Sequence, residues 1–396
     1  YGINHTEPVV PPGRPVRLEV VVRNGDVGHT CPGGTNDSNE SWVEFTVLDA
    51  DGQILTQSGF VREDKHVDPE AHFYRVVMVD QGGRRVFRRD PHNFLVPLYA
   101  RVIGPGTADA VHFEFTPPPE LAGTPLTVRA RLMWRKFDRR FTEFAFHANR
   151  EGFKGFDQPP DLPIVEIAAD EVTITVGEVG LQRIVAKPLA LPESEWTRMN
   201  DYGIGLLLEG NTRAAYYAFS KVAEIVPQRP DGFRNMARAA RVEGNLVAAY
   251  EALRRAEAIS PANAQTAWVW AQVLAEDGRY EEAAAAYRRC LQVFPNDRAA
   301  WRELTTLYYL NHQFEKSIQA SDEVLKIDPE DRVAHYYRML AFQALRRDSE
   351  AAVARVAYEK YQIDESAQAR TQALRLEAHG DNIEAQAIHV HVLELG

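Results

Sequence analysis

The C-terminal half of the chain repeats every 34 residues. Gly203, Ala237 and Ala271 keep that spacing, as do Gly210, Gly244 and Gly278, and Ala215, Ala249 and Ala283; Pro227, Pro261, Pro295 and Pro329 complete the ladder. A period of this length holds one helix–turn–helix unit: small residues where helices cross, a turn glycine, and a proline that ends the second helix. One unit alone cannot bury its apolar stripe, so neighbours must stack. Residues 196–365 are therefore expected to form an all-α solenoid. Four clear repeats occupy 196–229, 230–263, 264–297 and 298–331. A degenerate fifth occupies 332–365, where Arg346 stands in the place of the turn glycine. Residues 366–396 are expected to cap the last apolar face and then fray.

The first 180 residues follow a period of two instead. "PVRLEVVVRN" (15–24), "SWVEFTVLDA" (41–50) and "QILTQSGFVR" (53–62) alternate apolar and polar residues, and Asp51-Gly52 between the last two is a hairpin signal. "HFYRVVMVD" (72–80), "ADAVHFEFTP" (108–117) and "PLTVRARLMWRKF" (125–137) continue the pattern. Seven or eight such strands separated by turn residues predict an Ig-like antiparallel β-sandwich over 15–180. Residues 1–14 carry Pro8, Pro11 and Pro12 and read as an extended arm; 181–195 reads as a Pro-bearing linker. The fold class is multidomain β plus α.

A helix–turn–helix period of 34 with these small-residue and proline columns resembles the tetratricopeptide repeat. In that architecture the first helix of each repeat lines a concave groove through its second, fifth, ninth and twelfth positions. That register places Arg234, Arg238 and Arg241 beside Trp268, Gln272, Arg302 and Tyr309. Guanidinium forks between aromatic walls suit an acidic or C-terminal peptide segment. "VVVRNGDVGHTCPGGTNDSNESWVEF", "DPEAHFYRVVMVD", the "HNF" at 92–94 and "DNIEAQAIHVH" resemble the C-terminal part of bacterial multihaem cytochrome c proteins. Those proteins carry a β-sandwich and tetratricopeptide repeats. The resemblance implies an exported protein, periplasmic or extracellular, linked to respiratory electron transfer. It also implies haem c on an upstream segment or on a partner.

Haem cannot be attached within these residues. Covalent attachment needs Cys-x-x-Cys-His, whereas His29-Thr30-Cys31 has no second thiol nearby, and the other cysteine is Cys290. Cys290 falls at a packed position of the repeat and reads as a buried free thiol. The motifs of resemblance place His29, Asp37, Glu40, His72, Tyr74 and His92 in unusually polar stretches. Imidazole and carboxylate suit a metal, or an axial contact to a neighbouring haem. A buried hydrogen-bond network pinning two long loops uses the same residue types. On the second reading His29, Asp37 and Glu40 hold the 28–41 loop by bonds to backbone and no cofactor sits in this chain.

A net charge of −11 without a basic run argues against nucleic acid as partner, and no apolar run is long enough to span a bilayer. "RRVFRRD" (84–90) and "RKFDRR" (135–140) are short basic clusters expected to pair with carboxylates. There is no nucleophile elbow, phosphate loop, zincin or dinucleotide fingerprint, so no enzyme is expected. The reading is a non-enzymatic interaction and assembly module, scaffold or partner of a multihaem cytochrome system. The alternative is a structural subunit of an extracellular filament, a homo-oligomer joined by repeat contacts or by the N-terminal arm lent to a neighbour's sheet edge.

Overall fold

The computed structural model describes residues 6–148, 155–186, 191–361, 371–375, 377 and 379–395. It divides into two compact units, Tyr1–Gly210 with Glu365–Gly396, and Asn211–Asp364.

The first unit holds strands β1 (Val9–Val10), β2 (Val16–Arg23), β3 (Glu40–Leu48), β4 (Ile54–Ser58), β5 (His72–Val79), β6 (Arg85–Val86), β7 (Val96–Arg101), β8 (Ala108–Phe115), β9 (Pro125–Arg135), β10 (Ile164–Val176) and β11 (Val390–Val392). It also holds helices α1 (Arg139–Ala148) and α2 (Trp196–Leu208). The larger sheet runs β1-β10-β9-β3-β5-β6, with β4 beside β3 and β7 beside β5; the smaller runs β11-β8-β2. The alternation in the sequence explains how they face each other. Val16, Leu18 and Val22 of β2 and Phe113 and Phe115 of β8 are buried in one cluster with Val43, Phe45 and Val47 of β3 and Leu126 and Val128 of β9. Phe45 and Phe113 stack across it, their centroids 4.1 Å apart and their planes 9° apart. Offset aromatic contacts of this kind add to the area term.

Most pairing is antiparallel, but both chain ends join in parallel: β1 on β10 and β11 on β8. The N-terminal arm thus folds back on its own sheet. Val9 also exchanges backbone bonds of 2.7 and 2.9 Å with Val185, inside the stretch read as a linker. The arm's pairing with its own chain occupies the β10 edge that a donated strand would need; residues 1–5 lie outside the described residues.

The tail corrects an expectation. Instead of capping the repeats, Val390–Val392 extend the smaller sheet along β8. Leu393 N–H donates to Glu114 O at 2.8 Å and Thr56 Oγ1 to Glu394 O at 2.6 Å. An edge of β8 left open would carry unpaired N–H and C=O groups, and the three-residue strand closes part of it.

Helix α2 begins the first 34-residue period yet belongs to the first unit, packed on β8. Its Gly205 lies against the sheet backbone: a Cβ there would sit 3.1 Å from Ala110 N and 3.2 Å from the Asp109 carbonyl carbon.

The second unit is a run of helices α3 (Thr212–Ile225), α4 (Pro230–Val242), α5 (Leu246–Ile259), α6 (Ala264–Glu276), α7 (Tyr280–Val293), α8 (Arg298–Leu310), α9 (Phe314–Ile327), α10 (Arg332–Ala344) and α11 (Asp348–Lys360). Small residues sit at the crossings: Ala237, Ala249, Ala271 and Ala283 have no exposed surface. Cys290 is buried as well, its thiol 3.2 Å from Ala264 O. The turn between paired helices needs a left-handed residue. Gly244 and Gly278 supply it at φ 79° and 74°, and His312 and Arg346 take the same conformation at 57° and 59°. The degenerate fifth repeat therefore keeps the turn geometry without glycine.

Gly205→Val is expected to destabilise the first unit by about 1–3 kcal/mol, because the β8 backbone leaves no room for the side chain. Chemical denaturation followed by β-sheet circular dichroism measures it; an unmoved midpoint would mean that α2 does not pack this closely.

Candidate functional site

The six polar residues singled out in the sandwich do not form one site. His29 is exposed, its ring Nδ1 2.8 Å from Thr30 O, and His92 is exposed on the 3-10 turn Pro91–Asn93. The 28–41 loop is held by other side chains. Asn24 Nδ2 donates to His29 O at 2.8 Å and to Ile103 O at 3.0 Å; Asn39 Nδ2 donates to Gly33 O at 3.1 Å. Asp37 does not serve the backbone as expected, since its Oδ2 is buried with no partner. Glu40 is turned the other way, into a buried ion pair with Arg135. Its alternating position in β3 puts it opposite Arg135 of β9.

Of the six, His72 and Tyr74 meet at one carboxylate, while Asp37 and Glu40 share the wall of a separate cavity. Tyr74 Oη donates to Asp109 Oδ2 at 3.0 Å, and His72 Nε2 lies 3.1 Å from the same oxygen. His72 Nδ1 is 3.1 Å from Nε2 of His391, whose Nδ1 is 2.9 Å from Glu70 O. His391 comes from β11, 319 residues away, and sequence spacing gave no sign of it. Burial holds His72 down to about 4 and His391 to about 2. Among the described residues no group of three His, Cys, Asp or Glu side chains could hold a metal ion. The cluster fastens the tail to the sheet.

A second histidine has the opposite setting. His112 of β8 lies between two carboxylates, Nε2 2.7 Å from Glu209 Oε2 and Nδ1 3.3 Å from Glu19 Oε1. Bonds to Glu19 and Glu209 raise it to about 9. Glu209 follows α2 directly, so this imidazolium ties that helix to the sheet.

In the helical unit the arginines of α4 are crowded together. Arg234 is buried, with Nη2 2.7 Å from Asp231 Oδ1. Arg241 pairs with Glu276 of α6. Arg238 lies between them with a single bond, Nη1 to Asn235 Oδ1 at 3.1 Å, and no carboxylate at ion-pair distance among the described residues. Burial, then the fields of Arg234 and Arg241, bring its pKa down to about 10. The Nε–H groups of Arg234 and Arg241 are buried without an acceptor. Arg238 is thus not the exposed charge that helix register suggested. A buried guanidinium N–H without an acceptor costs about 1–3 kcal/mol or more.

The other groove candidates divide between core and surface. Trp268 packs edge-on against Tyr287 at 5.0 Å, and Tyr309 packs on Phe314 and Tyr337 at 5.6 and 5.4 Å. Gln272 of α6 is half-buried. Arg302 alone of the seven lines a cleft of about 600 Å³ between α8, α10 and α11, with Thr306, Arg332, Tyr336, Tyr337 and Tyr358. Arg332 lies 5.3 Å above the Tyr358 ring and has no carboxylate at ion-pair distance among the described residues. Tyr336 occupies the fifth position of α10, so the groove register carried into the fifth repeat would have found it.

Residues 274–341 match the tetratricopeptide repeat family model. No curated protein matches the chain. Solved structures similar to it include a MamA RS-1 double mutant, 18% identical, covering 44% of this chain and 96% of its own, with a TM-score of 0.40. PilF of Pseudomonas aeruginosa is 19% identical over 49% of this chain and 88% of its own, TM-score 0.40. MamA from Desulfovibrio magneticus RS-1 is 18% identical over 42% and 93%, TM-score 0.38. The chain contains a tetratricopeptide repeat region, and no helix among the described residues is long and apolar enough to cross a membrane.

The histidines give the first unit two opposed pH limbs. His72 and His391 are below the ordinary value when folded, so the unfolded chain binds more protons and stability falls as pH drops from about 6.5 towards 4. His112 is raised, so its contribution is full below about 6.5 and is lost as pH rises through 9. Denaturation midpoints across pH 4–10 should peak near neutrality. His112→Gln should flatten the alkaline limb alone; a limb unchanged by that substitution would refute the assignment.

Proposed function

We propose that this chain is a non-catalytic interaction and scaffold module whose helical repeats take an acidic peptide segment along α4, α6 and α8. One observation carries the reading: Arg238 sits desolvated between Arg234 and Arg241 without a carboxylate of its own, and two neighbouring Nε–H groups lack acceptors. Like charges gathered at this cost are relieved by an anionic partner, and a guanidinium fork matches a carboxylate in geometry. The Tyr- and Arg-lined cleft of α8, α10 and α11 offers a second anchor for the same segment, with room for an aromatic side chain.

The resemblance to multihaem cytochrome c proteins supports a finer reading. The protein is exported, periplasmic or extracellular, and works as scaffold or partner of an electron-transfer system whose haem is carried upstream of these residues or on the partner. A homo-oligomeric filament is the rival, and pairing of Val9–Val10 with β10 of the same chain weighs against donation of the arm.

Arg238→Glu is expected to move binding and stability in opposite directions. A fluorescein-labelled hexaglutamate peptide should lose at least about tenfold in affinity, the scale of a lost charge-assisted contact. The melting temperature should hold or rise, because the new carboxylate falls between two guanidinium groups. Unaltered peptide binding with a higher melting temperature would make the arginine cluster a structural expense without a ligand.

A further inference from the structure

Within the two basic clusters several arginines pair with carboxylates as expected. Arg84, Arg135 and Arg139 do, with Asp80, Glu40 and Glu143. Arg140 does not: it has no carboxylate at ion-pair distance among the described residues. Its guanidinium lies instead 3.6 Å above the Phe87 ring, so the fold brings residue 140 of one cluster onto residue 87 of the other.

Arg75 of β5 is placed in the same way. Its guanidinium lies 4.2 Å above the Phe73 ring, its Nε donates to Tyr99 Oη at 2.9 Å, and no carboxylate is at ion-pair distance among the described residues. Both guanidinium groups are positioned by stacking on rings, which leaves N–H edges unspent. Arg85 stands in the fields of both, and partial burial with those like charges lowers its pKa. These three line one cavity of about 270 Å³.

The remaining wall residues narrow the ligand. Two of its carboxylates are already engaged: Glu40 by Arg135, and Asp138, which accepts from Phe141 N at 2.6 Å at the start of α1. The third, Asp37, has a buried Oδ2 without a donor. Phe73, Val86 and Phe87 supply apolar wall, which suits a hydrocarbon skeleton better than an inorganic anion. The volume suits a molecule of a few carbon atoms.

We propose that this cavity binds a small organic acid, with a carboxylate on the N–H edges of Arg75 and Arg140 and a neighbouring hydroxyl donating to Asp37. The site is built from residues of the first unit alone. Bidentate recognition of a carboxylate by Arg is the strong form of a charge-assisted bond, and the stacked rings spare the site the entropy of ordering two long side chains on binding.

The test uses the full chain, calorimetric titration at constant ionic strength, and two acids that differ by one hydroxyl, L-malate and succinate. L-Malate should bind one to one, more tightly than succinate. Arg140→Gln, at an exposed position, should weaken both by about tenfold or more with an unchanged circular dichroism spectrum; Arg75→Gln is the second variant. Asp37→Asn should lower malate affinity to that of succinate. Absence of heat with either acid, equal affinity in both arginine variants, or saturable inorganic phosphate binding without malate binding would each overturn the proposal.

Discussion

Strand β8 has to be hydrogen-bonded along both edges, and the chain meets that demand from its two extremes. Residues 16–23 pair one side and residues 390–392 pair the other. Three contacts of the first unit centre on that strand: Phe113 carries the cross-sheet stack, His112 holds the carboxylates at β2 and behind α2, and Asp109 holds Tyr74 and His72. The chain therefore leaves the sheet unit at residue 210, builds the repeat unit, and returns at 365 to complete the sheet. A terminal strand of three residues has little pairing energy of its own. His391 and the backbone bonds beside it supply the rest.

Both units share one electrostatic habit. The overall charge is −11, yet at two places guanidinium groups crowd together, and burial with those like charges lowers the pKa of one: Arg238 beside Arg234 and Arg241 in the repeats, Arg85 beside Arg75 and Arg140 in the sheet unit. Elsewhere most arginines have an acidic partner in reach, as Arg135 has Glu40 and Arg289 has Glu257. An acidic protein with many carboxylates to spare could neutralise these clusters at small cost. Within these clusters Arg75, Arg140 and Arg238 have no carboxylate at ion-pair distance among the described residues, and that contrast, more than the count of basic residues, marks where an anionic partner fits.

Legibility followed the range of the interactions. The 34-residue ladder was legible because crossing and turn positions are local requirements. Groove register in the fourth repeat reached Arg302, which lines a cleft; carried into the fifth repeat it reaches Tyr336, whereas Arg332 and Tyr358 of the same cleft lie off that register. Register could not tell that Trp268 and Tyr309 turn into ring packing, since a helix position fixes direction only to within a rotamer. In the sandwich, polarity of the 28–41 stretch was visible, while its partition into an exposed His29, an unpartnered Asp37 oxygen and a paired Glu40 was not.

The sequence by itself determined two periodicities, two and 34, and with them a β-rich part, a helical-repeat part and the small residues on which the helices cross. It also shows that neither Cys31 nor Cys290 lies in a Cys-x-x-Cys-His motif, because thiol spacing is a local matter. The tertiary structure alone decided that the C-terminal tail joins the sheet, that Arg140 meets Phe87, and that His72 meets His391. Those pairings join residues far apart in the chain. They are selected by which buried polar groups and open strand edges remain to be satisfied after the local elements have formed, a requirement that no short window of sequence records.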